Sequence, residues 1–360
     1  MKRWLPFSIV IVIFTISHID HCYCTEPELD IVTDQFILEM EENLKKRMAS
    51  FKGESFESHD PFHEFDFESL APQGRELTNA AIYYCNFMKL FDNNNVIDIA
   101  LNDNKVKTYD VDKKEYKCLL NGLKSRECRF VEVEELKSPF WIANLNNLNK
   151  EDLGWGFCKE FNFEKFKIAA KSLIVQGKLS EREKKDGNSM YYYRLCIMLG
   201  RHFFESHEAI YTDIYGILLM DAGVNAIIEY AEKNKEIMYK YKEVYKLCKE
   251  FKKHKEKYFR QLILLGSGII KRVNNASDKD EWCIEVFDIA EPALRHDYPS
   301  IRIEILILLL KAKYSEDKNV RSKVNEIYKK AREDSDKRVR NVAIWAESLE
   351  EEEVKKIFRK

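Results

Sequence analysis

The sequence predicts a mainly α protein: a small mixed α+β region followed by a C-terminal α-solenoid of about three helical hairpins. Three observations predict it. Only 12 Gly and 7 Pro occur in 360 residues, too few for a sandwich or barrel that turns about every ten residues. Apolar residues recur at spacings of three and four along much of the chain, the period of a helix with one buried face. The last third repeats itself at an even offset, Ile301-Arg302 recurring as Val339-Arg340. A period of about 40 residues with two amphipathic stretches per copy describes stacked helical hairpins. Hydrophobic and charged shares of 45% and 33% are those of ordinary globular proteins. The 59 basic and 61 acidic side chains leave a net charge of -2. A global positive field of the kind that drives nucleic-acid binding is therefore absent.

Met1-Lys2-Arg3 is a basic start, and Leu5 to Ile16 is an apolar run too short to span a bilayer. His18, Asp20 and His21 break it, and Cys22 and Cys24 put small side chains at -3 and -1 of a cut before Thr25. Residues 1–24 read as a secretory signal peptide. No later window offers a second span, because Ile301 to Leu310 contains Arg302 and Glu304. The C-terminus is charged and carries no retention tetrapeptide. The expected destination is secretion or a secretory-pathway organelle, with export to a host cell as one end point.

Residues 25–72 divide into an amphipathic helix and an acidic, aromatic linker. Val32, Phe36, Met40, Leu44 and Met48 recur every four residues, whereas Lys52 to Gln73 has no helical period. Residues 73–190 form the mixed α+β region. A helix over Arg75 to Phe91 stops at the polar Asp92-Asn93-Asn94-Asn95, and Arg129 to Glu134 mixes β-branched and charged residues as a half-buried strand does. Lys105 to Tyr109 is β-prone but too short to decide. A helix over Phe161 to Gln176 and a charged loop over Leu179 to Asn188, with Asp186-Gly187 as its turn, lead into the helical repeat region, 191–360.

Seven cysteines follow the signal: Cys85, Cys118, Cys128, Cys158, Cys196, Cys248 and Cys283. An odd number leaves at least one thiol unpaired within the chain. Cys118 and Cys128 are the candidate disulfide, since they flank Asn121-Gly122 and close a short loop. Cys196, Cys248 and Cys283 sit among helix-periodic apolar residues as small buried hydrophobes. Asn275-Ala276-Ser277 is the candidate glycosylation acceptor.

In the last third, Val286, Ile289, Ala293, Ile301-Arg302 and Ile305-Leu306 align without gaps on Val324, Ile327, Ala331, Val339-Arg340 and Ala343-Ile344. Further upstream, Val244, Leu247, Phe251, Phe259-Arg260 and Ile263-Leu264 fall on the same frame, with Lys252-Lys253-His254-Lys255 as the turn. A single hairpin cannot bury its own apolar face, so neighbouring copies share a core. The apolar-Arg steps at Phe259-Arg260, Ile301-Arg302 and Val339-Arg340 open the second helices. Asp297, and Asp334 with Asp336, precede the last two. In these features the last third of the chain resembles the HEAT repeat family. The resemblance implies a ladder between adjacent units, with Arg260, Arg302 and Arg340 as its bases and Asp297, Asp334 and Asp336 as its acids. In style, with Lys well ahead of Arg, abundant Phe, Tyr, Ile and Asn, and scarce Gly and Pro, the chain is similar to secreted proteins of apicomplexan parasites.

Catalytic and metal readings are weaker than their plain alternatives. His59 and His63 have a ligand spacing, but Pro61 between them discourages the helix that would align them. Gly154 to Cys158 has the glycine-and-cysteine look of a nucleophile helix, and a thiolate there needs one of His202, His207, His254 or His296. Gly266-Ser267-Gly268 lacks the Lys-Ser/Thr of a phosphate loop. Lys233 to Arg260 is basic with Tyr239, Tyr241, Tyr245 and Tyr258 interleaved. It reads as a solvated helix face with the Tyr and Leu turned inward, the sharper alternative being a patch for anionic lipid, sulfated glycan or nucleic acid, the last disfavoured by secretion. The expectation is a secreted, non-enzymatic adaptor, antigen or effector that binds another protein, with no cofactor, no metal, no nucleic acid and no membrane span in the mature chain. A cysteine-dependent secreted enzyme and a basic-surface binder of glycan or lipid are the alternatives.

Overall fold

A computed structural model of the chain describes residues 59–72, 76–101, 104–130, 163–207, 210–275, 287 and 290–358. The signal segment, the helix over 32–51, most of the acidic linker, residues 131–134 of the expected strand, Cys158 and Cys283 lie outside them. Helices dominate, so the mainly α expectation holds. The described residues divide into two compact units, one drawn from 64–207 with 215–254, the other from 59–63, 210–214, 255–275 and 290–358. The mixed unit thus extends well into the helices that follow residue 190.

The mixed unit opens with α1 (Phe67–Leu70), capped by the Asp66 carboxylate, to which Ser69 N–H donates at 3.0 Å. Strand β1 (Glu76–Asn79) follows, ahead of α2 (Ala80–Leu90). Where the periodicity predicts helix from Arg75, the chain is extended to Asn79. Asn79 then acts as N-cap, accepting from Ala81 N–H at 3.1 Å. β2 (Val96–Leu101) and β3 (Asn104–Tyr109) form an antiparallel pair, Val96 opposite Tyr109 and Leu101 opposite Asn104. The undecided stretch at 105–109 is therefore a strand. After α3 (Lys114–Leu123), β4 (Ser125–Glu127) pairs parallel with β1. This strand ends before Arg129, and Arg129 and Phe130, the described part of the expected strand, lie outside it.

α4 (Phe163–Arg182) and α5 (Asp186–Ser206) pack against each other, and α4 covers β3. The loop expected over 179–188 shrinks to a tight turn. Lys184 takes the left-handed conformation at φ 55°, and Lys185 N–H and Lys184 N–H reach back to Ser180 O and Glu181 O, both at 2.9 Å. This helix stop works through backbone geometry, with a lysine where glycine is usual. Asp186-Gly187 opens α5 instead of turning. Tyr84, Phe166, Phe203 and Phe130 form an aromatic core, with ring centroids 4.9 Å apart for Phe166–Phe203 and 5.6 Å for Tyr84–Phe166.

α6 (Ile210–Lys233) crosses α5 where both helices carry glycine. A Cβ at Gly200 would lie 2.3 Å from Gly216 O, and one at Gly216 would lie 2.5 Å from Phe204 N. Neither contact can give, because both neighbours are backbone. By length and composition Thr212–Lys233 could cross a membrane, a window at odds with the expectation that no later span exists; 67% of it is buried. A soluble core helix passes the same test, and α6 holds two buried aspartates, Asp213 and Asp221, hydrogen-bonded to Ser300 and to Lys252.

α7 (Lys235–Lys240) precedes α8 (Lys242–Asn275), a single helix of 34 residues. This corrects the expected first hairpin, and with it the count of three. Lys252 to Lys255 is mid-helix. No Gly, Pro, Asn or Asp occurs between Lys242 and Leu265, and Leu247, Phe251, Tyr258, Leu262 and Leu265 keep one unbroken helical phase.

The remaining helices of the other unit are α9 (Pro299–Leu309), α10 (Lys318–Ala331), α11 (Lys337–Ser348) and α12 (Glu351–Phe358). α9 and α10 both pack against α11. Ile301 and Val339, aligned by the repeat, are equally buried in corresponding helices. The period also halves: α9, α10 and α11 begin at the evenly spaced Pro299, Lys318 and Lys337. Lys313 ties the segment after α9 to the C-terminal end of α11, its ammonium donating to Ala346 O, Glu347 O and Leu349 O at 2.6–2.8 Å. Burial lowers the Lys313 pKa, and Glu347 opposes that shift.

The α5–α6 crossing makes a sharp prediction. Gly200→Ala should cost about 3 kcal/mol of unfolding free energy by urea titration, the scale of overpacking against fixed backbone. A change within about 0.5 kcal/mol, the scale of an ordinary surface substitution, would refute the close approach.

Candidate protein-interaction site

α9, α10 and α11 are each preceded by a turn held in the same way, and the side chains that hold it are local. His296, Ser315 and Asp334 recur at the same half-period as the helix starts. The side chain of each accepts the backbone N–H two residues on: Tyr298 N–H at 3.0 Å, Asp317 N–H at 3.1 Å and Asp336 N–H at 2.8 Å. Asp317 and Asp336 then cap α10 and α11 through Asn319 N–H and Arg338 N–H. Four residues beyond each helix-entry position, Tyr298, Asp317 and Asp336, stands an arginine that reaches back to the turn. Arg302 Nη1 donates to His296 O at 2.6 Å and Asp297 O at 3.2 Å. Arg321 Nη1 donates to Ser315 O and to Glu316 O, the latter at 3.0 Å. Arg340 Nη1 donates to Asp334 O at 2.6 Å and Ser335 O at 2.9 Å.

Arg302 also uses its other edge. Nε and Nη2 grip both oxygens of Asp334 at 3.0 and 2.8 Å, a bidentate pair with both side chains largely buried. One rung of the expected ladder is thus present, joining α9 to the turn before α11. The other members are distributed differently. Asp297 accepts Asp60 N–H at 2.8 Å. Asp336 caps α11 and pairs with Arg338 at 2.7 Å. Arg340 holds its own turn. Arg260 is exposed within the continuous α8, where the turn that a rung requires does not form. For Asp336, burial pushes the carboxyl pKa up, but the Arg338 hydrogen bonds and charge outweigh it and the net shift is downward.

The other sequence candidates are placed as follows. No disulfide joins Cys118 to Cys128; both are thiols. Asn275 is the last residue of α8. His59 and His63 are exposed, and no helix aligns them. Cys158 lies outside the described residues, and each histidine proposed for it has another task. His202 Nδ1 accepts from Tyr84 Oη at 2.6 Å while its Nε2 donates to Ser125 O at 3.1 Å. His207 ends α5 at φ 45°, His254 packs edge-on to Phe65, and His296 Nδ1 accepts Tyr298 N–H. Burial pushes the Cys196 and Cys248 thiols up to about 12, which suits packing and not nucleophilic attack.

In the basic stretch, lysines meet acids: Lys233–Glu229 at 2.6 Å, Lys249–Glu232 at 2.8 Å and Lys252–Asp221 at 2.8 Å. Only part of the inward-facing expectation holds. Tyr258 is buried, Tyr241 and Tyr245 are half-buried, and Tyr239 is 85% exposed.

Sequence reasoning missed Arg321 and Ser315, and so the halved period. The signal was available in Ala293, Ala312 and Ala331, in Ile301, Val320 and Val339, and in the arginine after each of the latter. Comparison with protein-family models, with curated proteins and with solved structures finds no match.

Two outcomes test the turn chemistry. Arg302→Ala should cost about 3 kcal/mol, because it strands a buried carboxylate. A double-mutant cycle with Asp334→Ala should show coupling above about 1 kcal/mol, and additive effects would refute the rung. For Asp336 the folded pKa lies below the ordinary aspartate value of 3.8. Its stabilising effect is therefore present above that value and is lost as pH falls through the lower folded value. The stability gap between wild type and Asp336→Asn should be full at about pH 6 and should close as the pH drops below about 4. A gap independent of pH would refute the assignment.

Proposed function

We propose that the protein is a secreted, non-enzymatic binding protein, an adaptor, antigen or effector, whose HEAT-like helical segment recognises another protein. The observation that carries the reading is the shared frame of α9 and α11: equal burial at Ile301 and Val339, and one arginine anchor repeated on the turns before both. Elements that repeat and share a core present an extended surface suited to a macromolecular partner. Secretion rests on the basic start and short apolar run of residues 1–24. The buried thiols of Cys196 and Cys248 suit packing, and His202 and His296 are engaged in hydrogen bonds within the fold.

The full-length chain, expressed in eukaryotic secreting cells, should appear in the medium with Thr25 as its first residue. Lysine-reactive cross-linking in an extracellular fraction should then join a partner protein to Lys318, Lys329, Lys330 or Lys337. Intracellular retention with residues 1–24 uncleaved would overturn the secretory reading. Cross-links confined to residues 64–254 would overturn the recognition surface.

A further inference from the structure

Resting on that reading, the comparison of α9 with α11 names a place on the segment and the chemistry that fits it. On α9 the face formed by Arg302, Ile303, Leu306 and Leu310 is buried, Leu306 completely at 0% exposure. The element that follows meets this face: Tyr328 of α10 donates to Leu306 O at 2.9 Å, and the turn before α11 supplies Asp334 to Arg302. The residues that the repeat aligns with these four are Arg340, Asn341, Ile344 and Ser348, and none of them is buried. Ile344, in the place of Leu306, is 50% exposed.

Arg340 is held as Arg302 is, by two carbonyls of its own turn through Nη1. The edge that Arg302 gives to a carboxylate, Nε and Nη2, meets no acid on Arg340 among the described residues. A guanidinium fixed by one edge loses little freedom when the other edge binds, and its planar fork suits a carboxylate.

We propose that the Arg340–Ile344 face of α11 docks a different protein that presents a helix running into an aspartate-bearing turn. Its carboxylate takes Arg340 as Asp334 takes Arg302, and an apolar side chain covers Ile344. A second copy of this chain does not fit the role. Its entry turn carries His296 where an aspartate is required, with Nδ1 occupied by Tyr298 N–H, and its Asp334 is already engaged by Arg302.

The chain contains its own template for the partner, which supplies the probe: a fluorescein-labelled synthetic peptide of residues 315–338, titrated against the full-length protein by anisotropy. Saturable binding is expected, weak because an isolated helix of this length is marginal. Arg340→Ala in the protein, and Asp334→Asn in the peptide, should each weaken it about tenfold, as expected for one charge-assisted bidentate contact. Ile344→Asp, at an exposed position that leaves the circular-dichroism melt unchanged, should weaken it about fivefold, the order of one apolar side chain left uncovered. Absence of saturable binding, or affinity unchanged by both protein variants, overturns the docking site. Self-association of the free protein that disappears with Arg340→Ala overturns the choice of a different protein as occupant. Partner cross-links on α10 or α11 that persist in Arg340→Ala overturn the docking site alone and leave the recognition surface standing.

Discussion

The helical tail depends on an arginine that holds the turn in front of its own helix. A helix start leaves four N–H groups without intrahelical partners, and a turn leaves carbonyls in the same position. Here both are settled locally. A side chain at the beginning of the turn takes one N–H, an aspartate cap takes another on α10 and α11, and the guanidinium takes two carbonyls. The direction in which each helix leaves its turn is therefore held by contacts within the turn and the first helical turn themselves. With the starts evenly spaced, Ile301, Val320 and Val339 fall at the same place on their helices, each is buried, and α9 and α10 both pack against α11. The Arg302–Asp334 pair adds a link between helices of the tail, so the third turn is gripped from α9 as well as from its own helix.

The mixed unit is held by different means. Its aromatic core is closed by a buried Tyr84–His202 pair in which each polar atom has one assignment. The carbonyl of Ser125 can only accept, so His202 Nε2 carries the proton and Nδ1 is left to accept from the tyrosine. Burial keeps the Tyr84 hydroxyl protonated, and the nearby Cys128 adds to that shift. The glycine contact of α5 with α6 brings two backbones together without side chains between them, a distance that no other residue type permits.

Much of this was legible in the sequence because helical periodicity and the recurrence in the last third are local signals. Ile301 and Val339 could be paired on paper since nothing between them changes length. The missing first hairpin shows the limit: Val244 to Leu264 matched the frame residue for residue, yet a frame match does not make a turn. A run of Lys, Glu and Phe with no breaker continues as helix whatever its alignment suggests. Arg321 went unseen because the expected unit was a pair of helices, and a device repeated on every helix is hidden when only alternate ones are compared. Lys184 could not be read at all. Its left-handed backbone follows from where α4 must stop for α5 to return, while Asp186-Gly187 nearby carried the stronger turn signature. The Arg302–Asp334 rung was anticipated from the resemblance of its turn and helix start, but which acid each arginine takes depends on packing that spacing alone does not encode.

The three carbonyls gathered by Lys313 bear on how the tail could be dissected. The far end of α11 is finished by a side chain that precedes α10, so α10 and α11 do not carry their own terminator. A fragment cut at Ser315 would retain every residue of both and still lack the cation that seals the second. The natural excision point therefore lies upstream of α9, and the smallest transplantable module comprises all three rods together.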